Sequence, residues 1–536
     1  DDTYLVQPSM ILAGWTALLG FQLGFAQQCG LSNPGPPPAP PHTPGAPLPR
    51  RRPQESERTF SSPAVERHML RLMNRSWRDP NLATLLWNCL PNTLDTTVHK
   101  APLAGEVPDA FIITGDNKQM WLRDSACQVS PYIRFASEEP DGIGRLLRGL
   151  INRHVESVLL DPYANSFVLV APACPPNHLV ASSGLGLITS TRLDSNNAQV
   201  SALIMGLADR KFEKDSLFYV LRLAHQYFKR TQDARPYGGR WRQAVRTILR
   251  TLRSMQKPLT PLNITKAPYT YQAASKEPKD TLGHGIGRPH RYTGMIRGAF
   301  MPSDDAFQLP YHVPGNAMAV VELRATAALL RQLDGEGDVG LASEFESLAA
   351  EVDDGVRRFG VVQHASGTKI FAQMVDGFGN FLFGDDANIP SLLSLPYLGY
   401  IAPTDSLYVA TRKLLLSNAT NPYFTGPSSL GYEGIGSEDA SGKAGGGWIW
   451  HISLMMRALT STSDEEVQTM LQQLRETAPD GLMHESFWFE DPVHFTRAWF
   501  AWANSLFGEL LLQLAEERPH LLFTDAVKDV EGTMTI

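Results

Sequence analysis

The amino-acid sequence predicts an all-α protein and, within that class, an (α/α)6 barrel: a toroid of helical hairpins with short β-hairpins in its loops. Three observations lead there. Apolar residues recur at three- and four-residue spacing in one segment after another. The loops between these segments are long and rich in Gly, Pro, Asp and aromatic residues, the composition of loops that carry function on one face of a scaffold. Regular strand–helix alternation, which a parallel α/β barrel needs, does not occur. Neither does the fixed period of about 30–50 residues that marks a solenoid.

Taken in chain order, residues 1–33 contain the uncharged, mostly apolar stretch MILAGWTALLGFQLGFA from Met10 to Ala26. It is long for a signal-peptide core and short for a spanning helix, and Asp1 and Asp2 stand where a signal carries basic residues. It reads as a secretory signal or a membrane anchor, and membrane association is expected only through residues 10–26. Residues 34–60 are proline-rich and read as an extended spacer. Residues 61–536 are expected to form the helical domain. Its clearest helices are expected at 65–77, 81–94, 142–160, 215–229, 240–255, 316–333 and 495–517, with Pro314-Gly315 as a start signal for the sixth. Short extended pieces are expected at 110–114, 167–171, 368–374 and 378–383. Long loops are expected at 283–311, 377–390 and 425–447.

The composition bounds the partners. With 536 residues, 43% of them hydrophobic and 19% charged, the chain can bury a large core and is neither a disordered nor a collagen-like sequence. A net charge of −7, with no basic tract beyond Arg50-Arg51-Arg52, argues against nucleic acid. Four cysteines at 29, 89, 127 and 174 show no metal-ligand spacing, though Cys127 and Cys174 could be bridged. Sequons at Asn74, Asn263 and Asn418 are candidate glycosylation sites and favour the secretory pathway, lumenal or secreted.

Several familiar motifs fail. His484-Glu485 lacks the second histidine of a zinc protease, because position 488 is Trp. Gly436–Lys443 has five residues between its glycines where a phosphate loop has four. No metal and no cofactor are expected. What stands out instead is acids set beside aromatics, arginine and amides, at Trp121-Leu122-Arg123-Asp124, Asp194-Ser195-Asn196-Asn197, Asp215, Asp304-Asp305, Asp385-Asp386-Ala387-Asn388 and His484-Glu485. Such groups suit a sugar, whose hydroxyls are gripped by carboxylates and arginine and whose C–H faces stack on Trp. Glycoside hydrolysis needs one protonated carboxyl and one ionised carboxylate. The plain alternative for Asp124, Asp215 and Asp305 is helix N-capping.

At this point the sequence resembles a known family. The run Thr114-Gly115-Asp116-x-x-x-Met120-Trp121-Leu122-Arg123-Asp124-Ser125 is similar to the signature of family 125 of the glycoside hydrolases, metal-independent exo-α-1,6-mannosidases. Asp161–Asn165, FEKDSLFY from Phe212, Pro302–Ala306, Asp385–Leu393, Met483–Phe487 and FTRAWFAWANSLFGELL from Phe495 follow in family order. The resemblance implies removal of terminal α-1,6-linked mannose from a mannose-containing glycan with inversion. It implies Asp215 as general acid and Glu485 as general base, and Trp121, Arg123, Asp124, Asp304, Asp305, Asp386 and Asn388 as candidates for holding the sugar. The chain departs from the family pattern at Met301, where an arginine is usual, and at Ser437-Glu438, where Pro-His is usual. Two other readings remain open: a lectin-like lumenal protein that binds mannosides without turnover, and a helical-barrel glycosidase for another sugar.

Overall fold

The computed structural model describes residues 35–38, 46–170, 189–190, 204–259, 266–273, 280–438 and 446–525. The apolar stretch at 10–26, Cys174, Asp194-Ser195-Asn196-Asn197 and Asn263 lie outside them. Among the described residues, the helices of eight residues or more are α1 (Pro63–Met73), α2 (Pro80–Cys89), α3 (Leu122–Val129), α4 (Ile143–Leu160), α5 (Lys214–Thr231), α6 (Gly239–Gln256), α7 (Val313–Leu333), α8 (Asp338–Gly355), α9 (Ser406–Leu415), α10 (His451–Leu459), α11 (Asp464–Glu476) and α12 (Ala501–Glu517). The fold is mostly helical, with small antiparallel sheets between helices.

Local chemistry sets many helix ends. Ser62 and Asp79 accept hydrogen bonds from Val65 N and Asn81 N while Pro63 and Pro80 occupy the first helical turn, the usual division of labour between a capping oxygen and a residue with no N–H to satisfy. Ser463 caps α11 in the same way through Glu466 N. Helix α5 stops where Gln232 turns left-handed at φ 54°, and α7 where Asp334 does so at φ 46°. Helix α7 is buried on nearly every side and packs against α5 and α8. Among the described residues no helix is long and apolar enough to cross a membrane.

Two sheets shape the surroundings of the site. Strands β1 (Met120–Trp121), β2 (Ser166–Val170), β3 (Thr189–Ser190) and β4 (Ile204–Asp209) form a sheet in the order β1-β2-β4-β3. It delivers the chain from Trp121 into α3 and from Asp209 toward α5. Strands β5 (Trp448–Trp450), β6 (Ser486–Trp488) and β7 (Asp491–Phe495) form a second sheet, which fixes Glu485 at the entry to β6. The helix expected at 495–517 therefore begins only at Ala501. Phe495 pairs with Phe487, Arg497 turns left-handed at φ 52°, and Phe500 is the N-cap. Tertiary strand pairing has overridden a helical apolar pattern.

Residues 46–58 lie against the body. Asn81 Oδ1 accepts from Leu48 N at 3.1 Å, and Arg52 bonds Asp95 at 2.8 Å and Glu66 at 2.6 Å while its guanidinium covers the Trp87 ring at 4.8 Å. Arg51 is buried and reaches Asp480. Segments far apart in sequence also meet: Asp116 N donates to Trp499 O at 3.0 Å and Ala501 N to Thr114 O at 3.1 Å. Gly115, at φ 146°, allows this approach, because a Cβ there would lie 2.1 Å from Trp499 O.

Candidate active site

None of the three acids open to a capping reading is an N-cap. Trp121 is the N-cap of α3 and Glu213 that of α5, so Asp124 and Asp215 sit inside the first turn. Asp305 precedes Ala306, which bridges Phe300, and no helix follows. Carboxylates in a first turn are favoured by the helix dipole, but their side chains are free for other partners.

Those partners converge on Arg123. Its Nη1 donates to Glu213 Oε2 and to Asp215 Oδ2, both at 2.8 Å, and its Nε lies 3.8 Å from Asp124 Oδ2. All four side chains are buried. Asn165 Nδ2 donates to Glu213 Oε1 at 2.8 Å and to Asp304 Oδ1 at 3.3 Å, and Lys211 Nζ donates to the Asp304 carbonyl at 3.1 Å. Asp304 itself is held at φ 68°, a left-handed conformation that a non-glycine residue adopts only when its surroundings impose it.

Arg123 and Lys211 are too few cations to keep all four of these acids ionised. Burial lifts Glu213 well above the ordinary carboxylate range against the pull of Arg123, with Asp304 adding to the rise. Burial opposes ionisation of Asp304 too, yet the hydrogen bond from Glu213 and the charges of Lys211 and Arg123 hold Asp304 below its usual value. Glu213 is thus the protonated partner and Asp304 the carboxylate. Burial raises Asp215 despite Arg123, and pushes Asp124 up to about 6. Burial also brings Lys214 down to about 7. Its Nζ donates to the Ile296 and His312 carbonyls at 3.1 and 3.4 Å.

An open cleft enclosing about 490 Å³ lies over this cluster. Of the residues expected from sequence, Trp121, Arg123, Asp124, Asp304, Asn388 and Glu485 line it. Asp215 is not among the lining residues but is bonded directly to Arg123, which is. Asp386 is buried behind Asn388, accepting its N–H at 2.8 Å and its Nδ2 at 2.9 Å, and so orients it. Asp305 accepts at Oδ2 from Ser303 Oγ at 3.2 Å. Asp385 accepts the amides of Leu392 and Leu393 at 2.7 and 2.8 Å and serves the loop. Met301 packs with Phe307 and Met374 in a separate apolar cluster.

Glu485 is served from β7 and the turn after it. Thr496 Oγ1 donates to Glu485 Oε2 at 3.0 Å and Arg497 Nε lies 3.7 Å from Oε1. Thr496 gives its single proton to Glu485, so the 2.7 Å contact with Ser486 is donated by Ser486 Oγ. Arg497, Trp450, Phe500 and Trp502 also line the cleft, and sequence reading assigned them no role. Trp450 Nε1 is buried there without a hydrogen-bond partner, a donor available to a ligand oxygen. Glu213 was likewise missed. Its sequence signal is its place in the FEKDSLFY motif, two residues before Asp215.

Residues 79–512 match the family described as Metal-independent alpha-mannosidase (GH125). The chain belongs to this family. It is 38% identical over 485 residues to the Meiotically up-regulated gene 157 protein of Schizosaccharomyces pombe, spanning 89% of this chain and 91% of that one. Among solved structures it is similar, at TM-score 0.73 and 32% identity, to a Streptococcus pneumoniae metal-independent alpha mannosidase in a non-productive complex with alpha-1,6-mannobiose; the match covers 86% of this chain and all of that one. The chain is accordingly a glycoside hydrolase of alpha-mannosidase type. Sites expected for glycan attachment, Asn74 and Asn418, are exposed, and Asn418 Nδ2 donates to Gly426 O at 3.1 Å. Among the described residues Cys127 has no disulfide partner, and Cys174, with which it could be bridged, lies outside them.

Proposed function

We propose that the protein is an exo-acting α-1,6-mannosidase that hydrolyses terminal α-mannosyl residues with inversion, using Asp215 as general acid and Glu485 as general base. One observation carries the reading. Arg123 and Glu485 line the same cleft, and Arg123 is bonded to a buried acid, Asp215, whose protonated form burial favours. Protonated Asp215 gives its proton to the leaving glycosidic oxygen, while ionised Glu485, fixed by Thr496 and Arg497, takes a proton from the attacking water. Asp304 and Asp124 accept from mannose hydroxyls, Asn388 and Trp450 Nε1 donate, and Trp121 offers an apolar face. The mannobiose bound by the Streptococcus pneumoniae relative supports the linkage.

We read the helices α1–α12 as the hairpins of an (α/α)6 toroid, and the exposed sequons as favouring a lumenal or secreted protein. The test follows synthetic α-1,6-mannobiose by proton NMR with excess EDTA present. Release of β-mannose as the first product is expected. First release of α-mannose refutes inversion, and binding without hydrolysis favours a lectin-like protein.

A further inference from the structure

Arg51 sits in the proline-rich segment, yet it is among the buried charged residues of the molecule. Its Nη1 donates to Asp480 Oδ2 at 2.6 Å and to the Asp480 carbonyl at 2.8 Å, its Nε to Pro37 O at 2.9 Å, and its backbone N–H to Asn88 Oδ1 at 2.8 Å. The other oxygen of Asp480 meets His484 Nε2 at 2.9 Å, and His484 Nδ1 lies 3.1 Å from the carbonyl of Arg497. Both ring nitrogens of His484 thus face oxygen acceptors, so the ring is fixed between Asp480 and the Arg497 carbonyl. The ring is fully buried and stacked on Phe495 at 3.6 Å. Its bond to the Arg497 carbonyl holds the left-handed turn from which the Arg497 side chain reaches Glu485 Oε1 and Asp116 Oδ1.

We propose that Arg51 is a positioning residue for Glu485, acting through Asp480, His484 and the Arg497 turn. The inference rests on the reading of Glu485 as general base. By holding Oδ2 and the carbonyl of Asp480, Arg51 leaves Oδ1 aimed at His484. The neighbouring titratable groups are His451, whose Nδ1 accepts from His484 N at 3.0 Å, and the buried thiol of Cys89. Burial pushes His451 down to about 3, so it is neutral at working pH. Arg51 offsets the charge of Asp480, and without it that carboxylate stands uncompensated on this side. Loss of Arg51 therefore makes ionisation of Glu485 harder as well as loosening the turn.

The test compares full-length wild type, Arg51→Gln, Arg51→Lys, Asp480→Asn, Glu485→Gln and Asn81→Ala on α-1,6-mannobiose, with kcat, KM and the pH profile of kcat/KM. Asn81→Ala loosens the same segment at Leu48, away from the site. Arg51→Gln is expected to lower kcat about 10–100-fold, as removal of an outer-shell partner of a catalytic group commonly does. KM should stay within about twofold, since no sugar contact is lost. The acidic limb of the profile is expected to move to higher pH. Arg51→Lys restores the limb but only part of kcat, since an ammonium lacks the guanidinium fork. A wild-type kcat and profile in Arg51→Gln overturns the proposal, as does an equal fall in Asn81→Ala. If Arg51→Gln fails to fold, a wild-type acidic limb in Asp480→Asn overturns it instead. Turnover surviving in Glu485→Gln overturns the base assignment first, and is thereby distinguished from failure of Arg51 alone.

Discussion

Replacing Arg123 with Met removes the cation shared by Glu213 and Asp215 while keeping most of the side-chain volume. Removing one partner of a buried ion pair costs about 3–5 kcal/mol. Glu213 already holds its proton and burial favours the protonated form of Asp215 as well, so the charge left stranded is that of the ionised fraction of Asp215; that fraction grows with pH, and a loss near the lower end, about 3 kcal/mol, is expected at pH 7.5. Asp215 relieves the loss by taking up a proton. Its folded-state pKa is raised, so between the unfolded value and the folded one the native state binds a proton that the unfolded chain has released. Stability then falls as pH rises through that window, by about 1.4 kcal/mol per pH unit for one proton. The variant should recover most of its deficit on going from pH 7.5 to about 5.5, and Arg123→Met combined with Asp215→Asn should recover much of it at any pH. Urea denaturation at several pH values measures both effects. A loss under about 1 kcal/mol at pH 7.5, or one that does not shrink on acidification, refutes the argument that the arginine is there to hold a buried charge.

Asp215→Asn should lower kcat about 10²–10⁴-fold, the range for loss of a general acid, with mannoside still binding by isothermal titration. Because Asp124 titrates near 6, it becomes neutral below that pH and loses an acceptor for a sugar hydroxyl; KM should rise as pH falls through 6, and Asp124→Asn should abolish that rise. Gly115→Ala drives a Cβ into the Trp499 carbonyl and should lower stability by about 1–3 kcal/mol, with loss of activity as the two segments part, measurable by thermal melting and turnover. Expression through a secretory pathway should add glycan at exposed Asn74, read as a mass change removed by Asn74→Gln.

Helices with one wet face were legible in the sequence almost to the residue: Gly239–Gln256 was expected at 240–255 and Ile143–Leu160 at 142–160. Their apolar stripe is a local property, so a local reading finds it. The stretch after Phe495 was not legible, because its backbone is claimed by Phe487 and by Asp116, and periodicity carries no information about partners so distant. The candidate site divides in the same way. Residues inside recognisable motifs, such as Arg123 and Asp304, could be named in advance. Glu213 takes its protonated state from Asn165, Arg123 and Asp304, none adjacent to it in sequence. Arg51 and Arg52 read as a basic tract in a spacer, and only folding shows their charges spoken for by Asp480, Asp95 and Glu66.

The pairing of Thr114, Gly115 and Asp116 with Trp499, Phe500 and Ala501 also has a temporal meaning. During synthesis the Arg123 cluster can form as soon as residues up to 304 have emerged, but it then stands as an uncovered group of acids with no opposite wall. Glu485, Arg497, Phe500 and Trp502 are made some two hundred residues later. The cleft is therefore completed only when the segment around residues 485–502 docks on a loop made nearly four hundred residues earlier. A growing chain of this architecture lacks the proposed general base, and with it turnover, until the segment around Glu485 has been made and has docked.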